Sequence, residues 1–221
     1  MSEIKTILLN RSVYQDNDEE ADKLRQYLVD HHCFVVNVMS SPGSGKTTTL
    51  IALINELKKD LRIGIMEADI DSTVDAVKVA KETGCKSIQL HTGGMCHLDA
   101  GMTKRGLDEL DISDLDLVFL ENVGNLVCPA EFDTGASMDM SILSVPEGDD
   151  KPLKYPLMYE KSSLVVINKI DTLPYFDFDV ERCKSRILKH NPNVKIILIS
   201  AKTRQNINEL KNYFLNIVRR Q

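Results

Sequence analysis

A chain of 221 residues, with 43% hydrophobic and 27% charged residues, has globular composition, which excludes a disordered or low-complexity protein and suits one large domain better than two. Lys and Arg number 27 against 33 Asp and Glu, so the net charge of −6 offers no broad footprint for nucleic acid. Five cysteines are an odd number, which argues against a disulfide framework and for free thiols or metal ligands. The start, Met1-Ser2-Glu3-Ile4-Lys5, lacks the apolar stretch of a signal peptide, and no later apolar run approaches the roughly 20 residues that span a bilayer. The expectation is a cytoplasmic protein with neither nucleic acid nor membrane as a partner.

In chain order, residues 1 to about 33 predict an N-terminal helical extension with Ala21, Leu24, Tyr27 and Leu28 on one face. Strand-length β-branched runs follow: Phe34 to Met39, Arg62 to Glu67, Lys86 to His91, Leu115 to Glu121, Ser141 to Val145, Ser163 to Asn168 and Lys195 to Ser200. Several are apolar without alternation, as in Leu164-Val165-Val166-Ile167, which suits strands covered on both faces of a parallel sheet. Leu50, Leu53, Ile54 and Leu57 form the face of a helix after the first strand, and Ile207, Leu210, Phe214 and Ile217 that of a C-terminal one. This βαβα succession predicts a doubly wound α/β fold with a mainly parallel sheet, its ligands at the carboxyl ends of the strands.

The first strand runs into Ser40-Ser41-Pro42-Gly43-Ser44-Gly45-Lys46-Thr47, a P-loop between strand and helix. Gly43 and Gly45 let the backbone bend so that the N–H groups around Ser44 and the helix N-terminus face the β-phosphate, while Lys46 neutralises the β/γ oxygens. Thr47 supplies a hydroxyl to Mg²⁺, and Thr48 joins the nucleotide set. The usual pattern begins with Gly, and Ser40 departs from it.

Asn168-Lys169-Ile170-Asp171, at the end of a buried-type strand, matches the NKxD guanine-reading motif of GTPases. A carboxylate at Asp171 can accept from guanine N1–H and the N2 amine, Asn168 can bond the base and the loop, and the Lys169 stem can cover the ring. Adenine would leave Asp171 unpaired, so guanine is favoured. Ser200-Ala201-Lys202, after the last strand, resembles the second base-contacting loop of such enzymes. Glu121-Asn122-Val123-Gly124 stands where GTPases carry DxxG; Glu121 can still order Mg²⁺-bound water and Gly124 can approach the γ-phosphate. Asp69 is a candidate to position the attacking water or a metal-bound one. Asp75 reads either as a Mg²⁺ contact or as a solvated acid at a helix start.

Together with Thr92-Gly93-Gly94-Met95-Cys96-His97-Leu98-Asp99-Ala100 and Glu121-Asn122-Val123-Gly124-Asn125-Leu126-Val127-Cys128-Pro129, these motifs make the chain resemble the hydrogenase nickel-insertion GTPases of the HypB family. The urease accessory GTPases of the UreG family are similar at the phosphate site, but usually carry Cys-Pro-His where this chain has Cys96-His97. The resemblance implies a P-loop GTPase fold over the chain, GTP and GDP with Mg²⁺ as cofactors, and GTP hydrolysis coupled to nickel delivery for nickel–iron hydrogenase. It also implies a nucleotide-dependent homodimer, with hydrogenase maturation proteins or the hydrogenase large subunit as partners, and Cys96, His97 and Cys128 as metal ligands at the dimer interface. Thiolate and imidazole suit Ni²⁺ or Zn²⁺; three residues fall short of the four that either ion wants, and a two-fold dimer can supply the rest. The alternatives are a GTPase for another nickel enzyme such as urease, and a non-catalytic metal-binding adaptor. Residues 1 to 30 contain neither cysteine nor histidine, which opposes an N-terminal nickel store. Cys33, Cys85 and Cys183 read as packed thiols in strand or helix positions; His31, His32 and His190 read as surface residues, and His91 stays ambiguous near the switch region.

Overall fold

The computed structural model describes residues 9–69 and 74–220, so residues 1 to 8 of the predicted N-terminal extension lie outside the described residues. The apolar runs become β1 (Phe34–Ser40), β2 (Ile63–Asp69), β3 (Lys86–His91), β4 (Leu117–Glu121), β5 (Met138–Ser144), β6 (Leu164–Asn168) and β7 (Lys195–Leu198). They form one sheet in the order β3-β2-β4-β1-β5-β6-β7, every pairing parallel. Before, between and after them run α1 (Leu9–Asp30), α2 (Lys46–Leu57), α3 (Val74–Thr83), α4 (Ala100–Leu110), α5 (Cys128–Glu131), α6 (Lys151–Lys154), α7 (Pro156–Lys161), α8 (Val180–His190) and α9 (Ile207–Val218). The fold is the doubly wound parallel α/β architecture expected from the sequence.

Alternation along each strand splits its side chains between two buried faces. Val36, Val38, Ile63, Ile65, Leu117 and Phe119 pack on one face with Leu50, Leu53, Ile54 and Leu57 of α2 and Leu210 and Phe214 of α9. On the other face, Leu24 and Leu28 of α1 and Leu107 and Leu110 of α4 meet Val35, Val118 and Leu120, while Met158, Cys183 and Ile187 cover Val165 and Ile167. From β1 the chain moves outward to β2 and β3, then returns through β4 and crosses to β5, β6 and β7. The crevice outside the ends of β1 and β4 is therefore the switch point at which such sheets bind ligands.

Several expected boundaries move for local reasons. β4 begins at Leu117 because Leu115 closes a turn on Ile112, and the Asp116 carboxylate caps the Arg62 amide at 2.7 Å. β5 begins three residues early, at Met138, since Asp139 has a partner in the adjacent strand: the Asn37 amide donates to it at 2.7 Å. β7 stops at Leu198, where the chain turns toward a bridge between Ser200 and Gln205. Cys33 and Cys85 lie in loops beside strands and not within elements, and His190 is half-buried, its Nδ1 3.5 Å from Glu160, rather than a surface residue. Burial pushes the Cys33 and Cys183 thiols up to about 12, as for packed thiols. Among the described residues no helix is long and apolar enough to cross a membrane.

Candidate functional site

Gly43 and Gly45 take φ +77° and +93°, so the chain after β1 folds back and aims the first turn of α2 at a cleft of about 530 Å³. Ser40, at the place where the usual motif has glycine, is fully buried, and its hydroxyl accepts from Ser44 Oγ at 2.6 Å and from Lys46 Nζ at 3.1 Å. That hydroxyl gives the lysine a partner inside the loop. Burial lowers the Lys46 pKa, against the pull of Glu121, Asp75, Glu147 and Glu67. Ser41 donates to Glu147, whose other carboxylate oxygen accepts from the Ser144 amide at 2.7 Å, tying the loop to the end of β5.

The acidic wall of the cleft comes from the ends of β2 and β4. Thr47 Oγ1 donates to Glu121 Oε1 at 2.9 Å, and Asp69, Asp75 and Glu67 line the same space. Glu67, which carries no motif, is paired in register with Glu121, and the Oε2 atoms of both are buried without a hydrogen-bond partner. Burial and its acidic neighbours push Glu67 up to about 8; burial pushes Glu121 up to about 7 against Lys46 and Thr47. Orphaned carboxylate oxygens beside a threonine hydroxyl and the P-loop amides are a fitting donor set for a hard cation carried in on phosphate oxygens. Asp75 is exposed in the first turn of α3 and also lines the cleft. Gly124 closes the far wall: a Cβ there would meet Pro42 Cγ at 3.2 Å and Pro42 N at 3.3 Å.

Beside this cleft lies a second one of about 350 Å³, lined by Gly45, Thr48, Asn168, Lys169, Asp171, Thr172, Ala201 and Lys202. Gly45, Thr48 and Lys169 border both, so the two clefts adjoin. Asn168 Oδ1 accepts from the Ala201 amide at 3.1 Å while its Nδ2 donates to the Ser44 carbonyl at 3.0 Å. Lys169, at φ +60°, sends Nζ to the Gly43 carbonyl at 2.6 Å. Ser200 Oγ donates to Asp171 Oδ1 at 2.6 Å, leaving the second carboxylate oxygen for a ligand.

Two loops then bring the cysteines together. The loop after β3 carries Cys96 and His97, and the loop after β4 leads into α5 at Cys128; the Sγ atoms of Cys96 and Cys128 lie 2.7 Å apart as free thiols. The neighbouring Cys96 is the main cause that raises the Cys128 thiol, ahead of burial. His97 Nδ1 is 3.9 Å from Cys96 Sγ, but its ring stacks on Phe132 at 3.7 Å between centroids, and burial lowers its pKa. Among the described residues no three His, Cys, Asp or Glu side chains are grouped closely enough to hold a metal ion on their own.

The sequence profile of the CobW/HypB/UreG nucleotide-binding domain matches residues 34–198. The hydrogenase maturation factor HypB of Escherichia coli K12 is 41% identical over 213 residues, covering 96% of this chain and 73% of that protein. The chain belongs to the HypB family. A second member, the hydrogenase/urease maturation factor HypB of Helicobacter hepaticus, is 39% identical, covering 95% of this chain and 87% of its own length. Among solved structures, HypB from Helicobacter pylori in complex with nickel superposes with a TM-score of 0.87 at 38% identity, over 93% of this chain and 96% of that one.

In this HypB-family chain every phosphate-side residue singled out from the sequence, Gly43, Gly45, Lys46, Thr47, Thr48, Asp69, Asp75, Glu121 and Gly124, lines the larger cleft, with Ser44 behind it. Asn168, Lys169, Asp171, Ala201 and Lys202 line the smaller, with Ser200 on Asp171. Cys96 and Cys128 meet; His97 stacks on Phe132 while its Nδ1 stays 3.9 Å from Cys96 Sγ. Three further residues carry the geometry. Glu67 is a charge inside an apolar run. Asn125 bridges Ser40 of the P-loop through its backbone while its side chain donates to Cys128 Sγ at 3.4 Å and accepts from the Val127 amide at 2.9 Å. Asn17 of α1 accepts from the Ala100 amide at 3.0 Å and donates to the Asp133 carbonyl at 2.9 Å, clasping the ends of both cysteine loops. A glutamate in a strand core is a legible signal; the reach of the two asparagines depends on the tertiary fold.

Proposed function

We propose that this chain is a GTP-hydrolysing metallochaperone that assists nickel insertion into nickel–iron hydrogenase, acting as a cytoplasmic, nucleotide-dependent homodimer. In this reading it is one GTPase domain with an N-terminal helical extension over about residues 1–33. The observation that carries the reading is Asn125, which joins the P-loop at Ser40 to the thiol of Cys128. A γ-phosphate drawn to the Gly124 N–H moves the segment that holds Cys128, so nucleotide state and metal affinity are linked.

In this mechanism the amides from Gly43 to Thr48 and the Lys46 ammonium receive the phosphates, and Thr47 and Glu121 would hold Mg²⁺, with Asp69 and Asp75 as further acids of the same cleft. When bound, Mg²⁺ would supply neutralisation of the developing phosphate charge. Asp69 orients the attacking water, and no glutamine beside Gly124 assists it, so turnover is slow. Asp171 reads guanine N1–H and N2, with Ser200 holding the carboxylate and Lys169 covering the ring. Cys96 and Cys128 offer two soft donors to Ni²⁺ or Zn²⁺, and the partner subunit's equivalent thiols and His97 complete the set. Nickel is cargo here, handed to hydrogenase maturation proteins or the large subunit when the dimer opens. A second reading, service to urease, is supported by the dual name of the Helicobacter hepaticus relative.

Phosphate release from GTP, measured with ATP as competitor and with Lys46→Ala, tests the nucleotide half. Slow, Mg²⁺-dependent turnover that ATP does not inhibit and that Lys46→Ala abolishes is expected; equal competition by ATP refutes it. Ni²⁺ titration and solution mass with GDP and with a non-hydrolysable GTP analogue test the other half, and a monomer with one metal affinity in both states refutes the coupled dimer.

A further inference from the structure

Strand alternation puts Ile63, Ile65, Glu67 and Asp69 of β2 on the face that packs under α2, beside Leu117, Phe119 and Glu121 of β4. Glu67 thus extends a row of core isoleucines. It is 3% exposed, its register partner Glu121 is 4% exposed, and the Oε2 of each lacks a hydrogen-bond partner. An unpaired acid in such a place is destabilising unless a ligand answers it. Lys46, which lines the same cleft, has its ammonium on Ser40 Oγ at 3.1 Å, and Thr47 occupies only one oxygen of Glu121. Both glutamates line the cleft that holds the P-loop residues.

We infer that Glu67 is a further residue of the divalent-cation site, its carboxylate standing beside that of Glu121 to receive the nucleotide-bound Mg²⁺ or the water on it; this rests on the nucleotide reading above. Hard cations take oxygen ligands, and a Mg²⁺ held by one or two carboxylates plus phosphate oxygens is the usual arrangement. Glu67 is a positioning residue for that ion. It stands on the phosphate side and sets how tightly Mg²⁺ locks the nucleotide, without bearing on base choice.

The test follows release of a fluorescent GDP analogue from the full chain against Mg²⁺ concentration, for wild type, Glu67→Gln and Glu67→Asp, with release in EDTA as the reference. Wild type should hold the nucleotide longer as Mg²⁺ rises. Glu67→Gln should release it in EDTA as wild type does, yet need at least about ten-fold more Mg²⁺ for half-maximal retention, the scale of lost outer-shell partners. Its melting temperature in EDTA should be at or above that of wild type, and Glu67→Asp should recover part of the Mg²⁺ response. An unchanged Mg²⁺ midpoint in Glu67→Gln overturns the inference while leaving the nucleotide reading intact. A Glu67→Gln chain that melts well below wild type in EDTA overturns it as well, because Glu67 is then a packing residue. Wild-type release that ignores Mg²⁺ overturns it together with the nucleotide reading.

Discussion

The side-chain amide of Asn168 stands 2.6 Å from the place a Cβ on Gly45 would occupy, and it donates to the Ser44 carbonyl at 3.0 Å. The end of β6 therefore braces the P-loop, joining the walls of the two adjoining clefts. Gly45→Ala must both displace Asn168 and hold φ near +93° with a side chain. The backbone strain alone costs about 1–2 kcal/mol. A lower urea midpoint and weakened GDP binding are expected, and GDP affinity equal to wild type would contradict this bracing.

Asp171 keeps one carboxylate oxygen on Ser200 and presents the other to the smaller cleft. Replacing it by asparagine turns a bidentate acceptor into a donor–acceptor pair, which suits the C2 oxygen of xanthine. Asp171→Asn should lose GTP affinity by a factor on the order of 10² or more and gain XTP binding. Competition binding with the two triphosphates reads both changes, and undiminished GTP binding would remove Asp171 from the base site.

Asn125 touches the P-loop with its backbone and Cys128 with its side chain, so Asn125→Ala should narrow the difference in Ni²⁺ affinity between the GDP and GTP-analogue states. Cys96→Ala should lower affinity in both states, since it removes one of the two paired thiols. Isothermal titration in the two states separates the effects. A nucleotide dependence as large in Asn125→Ala as in wild type would place the coupling elsewhere.

On the face opposite α2, Asn37 links Asn122, which donates to it at 3.0 Å, with Asp139, to which it donates at 2.7 Å. Burial pushes Asp139 up to about 6, opposed by Asn37 and, further off, by Arg25 and Lys161, and aided by Asp133. Its ordinary value is 3.8, so in the window between that and about 6 the folded chain holds a proton that the unfolded chain has released. Stability from this group is present below that window and is lost as pH rises through it. Asp139→Asn should flatten the fall in denaturation midpoint between pH 4 and 6 relative to wild type. A parallel pH profile for the two proteins would show that Asp139 is not the group involved.

Most of the fold was legible because its strands are short, β-branched and bounded by turns, and the P-loop and Asn168–Asp171 segments carry their geometry in local sequence. What escaped reading was chemistry without a local pattern. Met138 and Asp139 do not look like the start of a strand until Asn37 is seen alongside, and Leu115 resembles strand residues although Asp116 is committed to Arg62. Glu67, a glutamate after apolar neighbours, is a signal in the sequence, but which carboxylate it stands beside becomes visible only when Glu121 is placed next to it in register. His97 adjoins Cys96 in sequence, yet Phe132, 35 positions on, takes its ring.

Asn17 binds the end of one cysteine loop with its oxygen and the end of the other with its nitrogen. That amide ties both thiol-bearing segments to the first helix, and Arg25 of the same helix adds an ion pair to Asp133 and a hydrogen bond to the Ala136 carbonyl. The N-terminal helix is in this sense a handle for the paired thiols, set on the side of the sheet opposite the P-loop helix.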